Sequence, residues 1–391
     1  MFSVLLPIIY ISFISLGLPD SLLGCAWPTI YPQFGVPFSS AGIISMIISV
    51  GTVISSLMSD RLTARFGTGR VTAASVALTA LALLGFSVSG SFWMLCALAV
   101  PYGLGAGSVD ATLNNYVALH YASRHMSWLH CMWGIGATAG PFIMGLALSG
   151  GQGWHMGYRY VGLVQIVLST GLFFSLPLWK KADAAAAGEN GARRAPLALR
   201  DVVRIPGARE VMLGFFCYCA YEQTAILWGS SFLVGAVGLD AGRAAALGSL
   251  FCIGITAGRG LSGFVTYKLS DTGMIRLGEA TAAIGALMML LPLGAWCKMA
   301  GLMVFGLGCA PIYPSIIHST PQHFGAERSQ AVIGVQMASA YVGITVMPPV
   351  FGLIAQNISV RLMPVFVLFL LAVGAAMLER LNRICGKKLV K

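Results

Sequence analysis

The chain runs to 391 residues, of which 57% are hydrophobic and only 9% charged. Soluble domains carry about 25% charged residues, so this composition leaves no surface for water and excludes a water-soluble globular enzyme. The formal net charge of +11 would suit a nucleic-acid binder, but the placement of the basic residues argues for membrane topology instead.

Apolar runs of about 20 residues, each enough to cross a hydrocarbon core of about 30 Å, recur along the whole length. We read twelve, near 5–30, 40–59, 71–89, 92–117, 127–149, 157–178, 210–234, 244–267, 274–295, 299–317, 329–354 and 360–379. The opening MFSVLLPIIY lacks the basic stretch of a cleaved leader, so the first segment is expected to stay in the mature protein. With both termini inside, 20 of the 24 Lys and Arg fall in cytoplasmic loops. The other four, Arg159, Arg243, Lys298 and Arg361, fall opposite. That asymmetry is the positive-inside bias, and it predicts a cytoplasmic (inner) membrane protein with both ends in the cytoplasm and no nucleic-acid partner. Nine cysteines sit mostly inside the segments without C-x-x-C or Cys/His ligand spacing, so neither disulfides nor a metal nor another cofactor is expected. Trp93, Trp154, Trp179 and Trp296 lie near segment ends, where an interfacial aromatic belt is expected.

In chain order, the first segment carries Asp20, within the Pro19–Pro28 stretch. With Asp110 and Glu222 it is one of three carboxylates at membrane depth in a chain of 13 acidic residues. A charge near the bilayer centre costs about 2.5–3.5 kcal/mol on insertion scales. Such groups are expected to face an interior cavity and act on protons, ions or a polar solute.

Between segments 2 and 3 stand Ser56, Asp60, Arg61, Arg65, Phe66-Gly67 and Arg70. This is a charge cluster at helix ends, where Asp60 is expected to cap a helix N-terminus and pair with an arginine. Segment 4 reads Gly103-x-Gly105-x-Gly107-x-x-Asp110-x-x-x-Asn114-Asn115. Its glycines permit close helix contact, and Asp110 and Asn114, four apart, share a face. His120, His125 and His130 recur every five residues, about 140° apart on a helix, so they form no metal set. Gly136, Gly140 and Gly145 in segment 5 are read as packing positions. Their partial likeness to an exporter motif keeps an antiport reading open.

The hydrophilic stretch 180–207 is read as a cytoplasmic linker between an N-terminal six-helix bundle (1–179) and a C-terminal one (208–391) with a short basic tail. Segment 7 reads Tyr218-x-x-x-Glu222, a carboxylate and an aromatic on one face, suited to hydroxyls and to the C–H face of a sugar; Trp228 lies six residues on. Gln165, Tyr313, Gln336, Ser339 and Tyr341 are further polar candidates.

The halves repeat at one offset. Gly103-Leu104-Gly105 returns as Gly306-Leu307-Gly308, 203 positions on, and the same step takes Ser59 to Ser262, Arg65 to Lys268, His120 to His323 and Gly140 to Gly343. It takes Asp20 to Gln223, beside Glu222, and Asp110 to Tyr313, so Asp110 has no acidic twin. Parallel repeats with a site at their interface describe alternating-access transporters.

The loop after segment 2 resembles the signature loop of the major facilitator superfamily, with Ser56 in place of its leading glycine. The glycine–Asp110–Asn114 run, Tyr218…Glu222…Trp228, Gly258-Arg259-x-Leu261-x-Gly263 and Gly308-x-Ala310-Pro311-x-x-Pro314 resemble the fucose permease-like (fucose:proton symporter) branch. The resemblance implies an all-α fold of twelve helices in two pseudo-symmetric bundles. It also implies gating by Asp60, Arg61, Arg65 and Arg70, and carboxylates at a central cavity. A secondary active transporter is therefore expected, a monomer in the bilayer that carries a sugar or other small polar solute with protons. Sodium is an alternative coupling ion and drug or metabolite export an alternative direction. Asp110 is the first candidate for proton coupling and Asp20 the second. Glu222, Tyr218, Asn114, Asn115, Gln223, Trp133, Tyr313 and Gln336 are the substrate-binding candidates. No nucleophile elbow, phosphate loop or paired ligand set points to an enzyme.

Overall fold

The computed structural model describes residues 4–20, 22–37, 40–189, 197–238 and 241–389, and among these there is helix but no strand. Residues 190–196 of the predicted linker lie outside them, as do Arg193, Arg194 and Lys391 of the basic set. The helices are α1 (Leu5–Gly17), α2 (Leu22–Phe34), α3 (Ala41–Phe66), α4 (Thr68–Phe86), α5 (Phe92–His120), α6 (Ser123–Ser149) and α7 (Gly153–Glu189). They continue as α8 (Leu199–Arg204), α9 (Ala208–Val237), α10 (Ala241–Val265), α11 (Asp271–Leu290), α12 (Ala295–Cys309), α13 (Ile312–Phe324), α14 (Ala326–Ile354) and α15 (Met363–Leu389). A wide π turn (Ala355–Ser359) and a 3-10 turn (Val360–Leu362) join the last two.

Every predicted segment is occupied by helix. Nine stretches among the described residues are long and apolar enough to cross a membrane, and Ala326–Cys385, at 60 residues, spans two of the predicted segments. Large apolar side chains face outward rather than inward at many positions, such as Phe142, Phe174, Val167 and Phe369. In water such a surface would aggregate; in lipid it is the stable arrangement, because helices satisfy their own backbone groups.

The first predicted segment is broken. α1 ends at Gly17 and α2 begins at Leu22, leaving Pro19 and Asp20 in the turn between them. Proline has no N–H to offer the preceding turn, so the break falls where the sequence places it. The tenth segment breaks likewise at Ala310–Pro311, between α12 and α13. α9, by contrast, runs unbroken through Glu222.

The chain divides into two compact units: residues 1–116 with 129–197, and residues 117–128 with 198–391. The 203-residue offset reappears as geometry inside each. Shifting the α1–α2 span by 203 gives the bounds of α9, and the first residues of α4, α5 and α6 map onto those of α11, α12 and α14. A Cβ on Gly103 would stand 2.3 Å from the Ile48 carbonyl oxygen, and one on Gly306 would stand 2.2 Å from that of Phe251, its equivalent. Gly105 presses on Ser75 and Thr79, and Gly308 on Gly278 and Ala282, again 203 apart. Glycine lets the helix backbones touch at these positions, and any side chain would hold them apart.

Three expectations change. Trp93 and Trp296 are exposed, at 73% and 83%, as an interfacial belt requires, but Trp154 and Trp179 are buried. Trp154 donates from Nε1 to Gln33 Oε1 at 2.7 Å, and Trp179 donates to Ser175 Oγ at 3.0 Å. Both indoles found polar partners inside the unit, which removes the reason to sit at an interface. Arg259, read as a loop cation, is buried within α10. α7 continues through the start of the predicted linker to Glu189.

Candidate functional site

Two of the first unit's carboxylates, Asp20 and Asp110, lie in predicted spanning segments and have different surroundings. Asp20 sits at the α1–α2 break with its side chain accessible. Trp133 of α6 donates from Nε1 to its Oδ2 at 2.8 Å, and the Tyr102 hydroxyl of α5 reaches its Oδ1 at 3.4 Å. α6 lies close enough for this because Gly136 and Gly140 bring its backbone against the carbonyls of Ile14 and Leu18. That contact gives the glycine pattern of segment 5 its packing role.

Asp110 is buried, 4% exposed, on α5. The Asn114 amide donates from Nδ2 to Asp110 Oδ1 at 2.8 Å and to its backbone carbonyl at 3.0 Å, so the two residues do share a face. This orientation turns the Asn114 Oδ1 towards His130 Nε2, 3.0 Å away on α6, which must then be the donor. The His130 ring meets Phe13 of α1 edge-on at 5.4 Å. Asp110, Asn114 and His130 therefore form one polar chain across α5 and α6. Asn115 is buried beside Asn114. Gln165 joins α7 to α1 by accepting from Ser15 Oγ and donating to its carbonyl.

The second unit holds a buried ion pair between α9 and α10. Arg259 Nη2 lies 3.1 Å from Glu222 Oε1, with both side chains largely buried. One turn before Glu222, Tyr218 donates to the Cys309 carbonyl at 3.0 Å, next to the α12–α13 break. Phe215 and Tyr313 approach to 4.7 Å between ring centroids, and Tyr218 and Tyr313 to 6.0 Å, so aromatic rings line this side of α9. Gln223 is half-buried, and Gln336 is buried with Thr320 bonded to its Oε1 at 3.1 Å. Gln336 and Trp133 are equivalent under the offset. Trp228 donates to the Pro348 carbonyl at 2.9 Å, a tie between α9 and α14.

The loop cluster behaves differently from expectation. Asp60 caps no helix start; its Oδ2 accepts from the Leu197 backbone N–H at 3.2 Å, fastening α3 to the chain just before α8. Arg61 and Arg70 are exposed, and Arg65 lies over the Phe66 ring at 5.4 Å.

Sequence reasoning missed Arg259, Tyr102 and the His318–Asp271 pair, in which Nδ1 stands 2.6 Å from Oδ2. The signal for Arg259 was present, since a cation inside an apolar run is itself a functional flag. Tyr102 offered none, because a tyrosine in a span is indistinguishable from core until its hydroxyl finds a partner.

A family model described as Major Facilitator Superfamily matches residues 9–329. The fucose:proton symporter FucP of E. coli superposes with a TM-score of 0.76, at 13% identity over 96% of this chain and 98% of that one. Bypass of stop codon protein 6 of Saccharomyces cerevisiae is 22% identical over 90% of this chain and 77% of its own length. The 4-hydroxybenzoate transporter PcaK of Pseudomonas aeruginosa is 29% identical over a shorter stretch, 41% of this chain and 37% of its own length.

Proposed function

This chain belongs to the major facilitator superfamily, and from that premise we propose that it is a proton-coupled symporter of a small polar solute, a sugar or sugar derivative. It is a membrane transporter rather than an enzyme, with the superfamily's all-helical fold. The observation that carries the coupling is the pair of membrane-depth carboxylates in the first unit, each engaged by neutral donors: Asp20 by Trp133 and Tyr102, Asp110 by Asn114. A carboxylate inside an apolar segment that is engaged by hydrogen-bond donors can gain and lose a proton as its surroundings dry and rewet. Protonation removes a buried charge and lets the loaded carrier reorient. Asp110, sealed inside α5, is the first candidate for this switch, and Asp20, accessible at a helix break, the second. Discontinuous helices near the midplane are where transporters of repeated architecture hold substrates and ions.

On this reading Glu222, Tyr218, Gln223, Tyr313 and Gln336 are the solute-binding residues of the second unit, and Asn114, Asn115 and Trp133 those of the first. Asp60, Arg61, Arg65 and Arg70 gate the cycle. The 180–207 stretch is the cytoplasmic linker in the chain between the two six-helix bundles, the protein works as a monomer, and the basic loops face the cytoplasm. Support for a hydroxylated solute comes from the aromatic rings beside carboxylate and amide groups, and from the symporters of fucose and xylose among the structural neighbours.

The test begins with thermal-shift screening of a sugar and organic-acid panel, since a bound ligand stabilises in proportion to occupancy. Proteoliposomes are then loaded with the solute so identified. Asp110→Asn is expected to keep downhill counterflow and lose uphill accumulation driven by a pH gradient. Retained accumulation in that variant would overturn the role of Asp110. Solute addition to energised cells is expected to alkalinise the medium; acidification would point to export.

A further inference from the structure

The buried Glu222–Arg259 pair of the second unit asks for an explanation that its helices do not supply. Glu222 is fourteen residues from the start of α9 and fifteen from its end, about 21 Å from either at 1.5 Å per residue, so it lies at mid-depth. Its partner Arg259 is buried on α10, 3.1 Å away. Under the 203-residue offset the equivalent positions of the first unit are Pro19 and Ser56, both uncharged. The arginine's helix nonetheless packs on its other neighbour alike in both units: a Cβ on Gly51 of α3 would meet the Leu104 nitrogen of α5 as one on Gly254 of α10 would meet the Leu307 nitrogen of α12. The packing of α10 on α12 is therefore matched in the first unit by helices that carry no such pair at these positions. A buried ion pair is seldom more stable than apolar packing of equal volume, so packing alone gives no reason for a cation here.

A guanidinium at this depth must always be neutralised, and it is planar and suited to a carboxylate. Its wall is aromatic: Tyr218 and Tyr221 meet at 5.3 Å, and Phe215 and Tyr218 lie nearly parallel at 6.3 Å. We propose that Arg259 is the anchor for a carboxylate on the transported solute, so that the solute is a small organic acid, and that Glu222 is the counterion which it displaces. In the empty carrier Glu222, ionised, neutralises Arg259. When the solute arrives, its carboxylate takes the guanidinium and Glu222 takes one proton from the water on that side. The charge of the site is zero before and after, with one cation and one anion each time. Ionised Glu222 repels the anion, so the acid binds only with its proton. This inference rests on the transport reading and sharpens it, because a Glu222 already committed to Arg259 is a poor acceptor for neutral sugar hydroxyls.

The experiment is calorimetric titration of the purified full-length protein in two buffers of different ionisation enthalpy. The probes are galacturonate, gluconate and benzoate against their neutral counterparts galactose, glucose and benzyl alcohol. At least one acid is expected to bind ten-fold or more tightly than its neutral counterpart, with proton uptake. Glu222→Gln is expected to keep that acid and lower the uptake by about one proton per solute. Arg259→Gln is expected to lose it; if that variant unfolds, Arg259→Lys, which keeps the charge, is expected to fold and bind the acid at least ten-fold more weakly. Equal affinity for acid and counterpart, binding of no acid, unchanged proton uptake in Glu222→Gln, or undiminished acid binding in the arginine variant would each overturn the assignment. A neutral sugar accumulated by a pH gradient would sink this inference and leave proton coupling standing. Absence of gradient-driven uptake of any solute would instead sink the transport reading beneath it.

Discussion

Charged residues inside the bundle depend on their partners, and Arg259 and Glu222 make this measurable. Removing one member of a buried pair leaves a charge that costs about 3–5 kcal/mol, whereas replacing both by apolar groups is near neutral or stabilising. Arg259→Met is therefore expected to lower the melting temperature, and Arg259→Met combined with Glu222→Leu to restore it, both read by thermal unfolding in detergent. The first unit already contains the natural control, with the uncharged Pro19 and Ser56 at the same places. Failure of the double variant to recover would mean that the pair holds α9 to α10 by geometry that apolar groups cannot copy. The three carboxylates Asp20, Asp110 and Glu222 thus separate by partner. Asp20 faces an indole and a phenol, Asp110 an amide, and Glu222 a guanidinium.

Helices approach one another here through glycine, and the sequence announced it. The run Gly103, Gly105, Gly107 was legible as a contact stripe, and all three glycines meet a neighbouring backbone carbonyl. Gly103→Leu and Gly306→Leu are expected to destabilise their units by about 1–3 kcal/mol or more, the cost of overpacking, seen as early unfolding in fluorescence-detected gel filtration. Gly171→Ala in α7, where an added Cβ meets nothing within 4 Å, is the control and is expected to be neutral or stabilising by about 0.4–1 kcal/mol. The helix interruptions were half legible. Pro19 marked the first break, and Pro311 the second, but the prolines within α5, α7 and α14 interrupt nothing. Whether a proline breaks or is absorbed depends on whether neighbours re-satisfy the freed carbonyl, which no local pattern encodes. Trp154 and Trp179 show the same limit, since a tryptophan near a segment end turns inward when Gln33 or Ser175 awaits its N–H.

At the scale of the whole chain, the repeat was legible and one exchange across it was not. Residues 117–128, which covalently join α5 to α6, belong to the second unit. Four contacts hold them there. Ser123 donates to Asp271 Oδ1, while His318 sits between Asp271 Oδ2 at 2.6 Å and the Tyr121 carbonyl at 2.9 Å. Arg124 lies over the Tyr267 ring at 5.1 Å. Trp128 meets Phe264 edge-on at 5.8 Å above Gly263, where a Cβ would stand 2.0 Å from its indole nitrogen. His318 faces an acceptor at each ring nitrogen, an arrangement that the doubly protonated ring satisfies completely. None of this follows from local pattern, because the partners stand more than 130 positions apart and carry no ligand spacing. The consequence is that neither covalent half is self-sufficient. Residues 1–197 alone carry a segment whose partners are missing, and residues 198–391 alone expose Asp271, His318 and the Gly263 surface. Expressed singly, each half is expected to be degraded or aggregated. Expressed together, with an affinity tag on one, they are expected to co-purify. Gly263→Ala, which displaces Trp128, is expected to reduce the recovered partner several-fold, and His318→Ala to do the same through Tyr121 and Asp271. If both halves are stable and monodisperse alone, or if the two substitutions leave recovery unchanged, the segment is a passenger and the units fold independently of it.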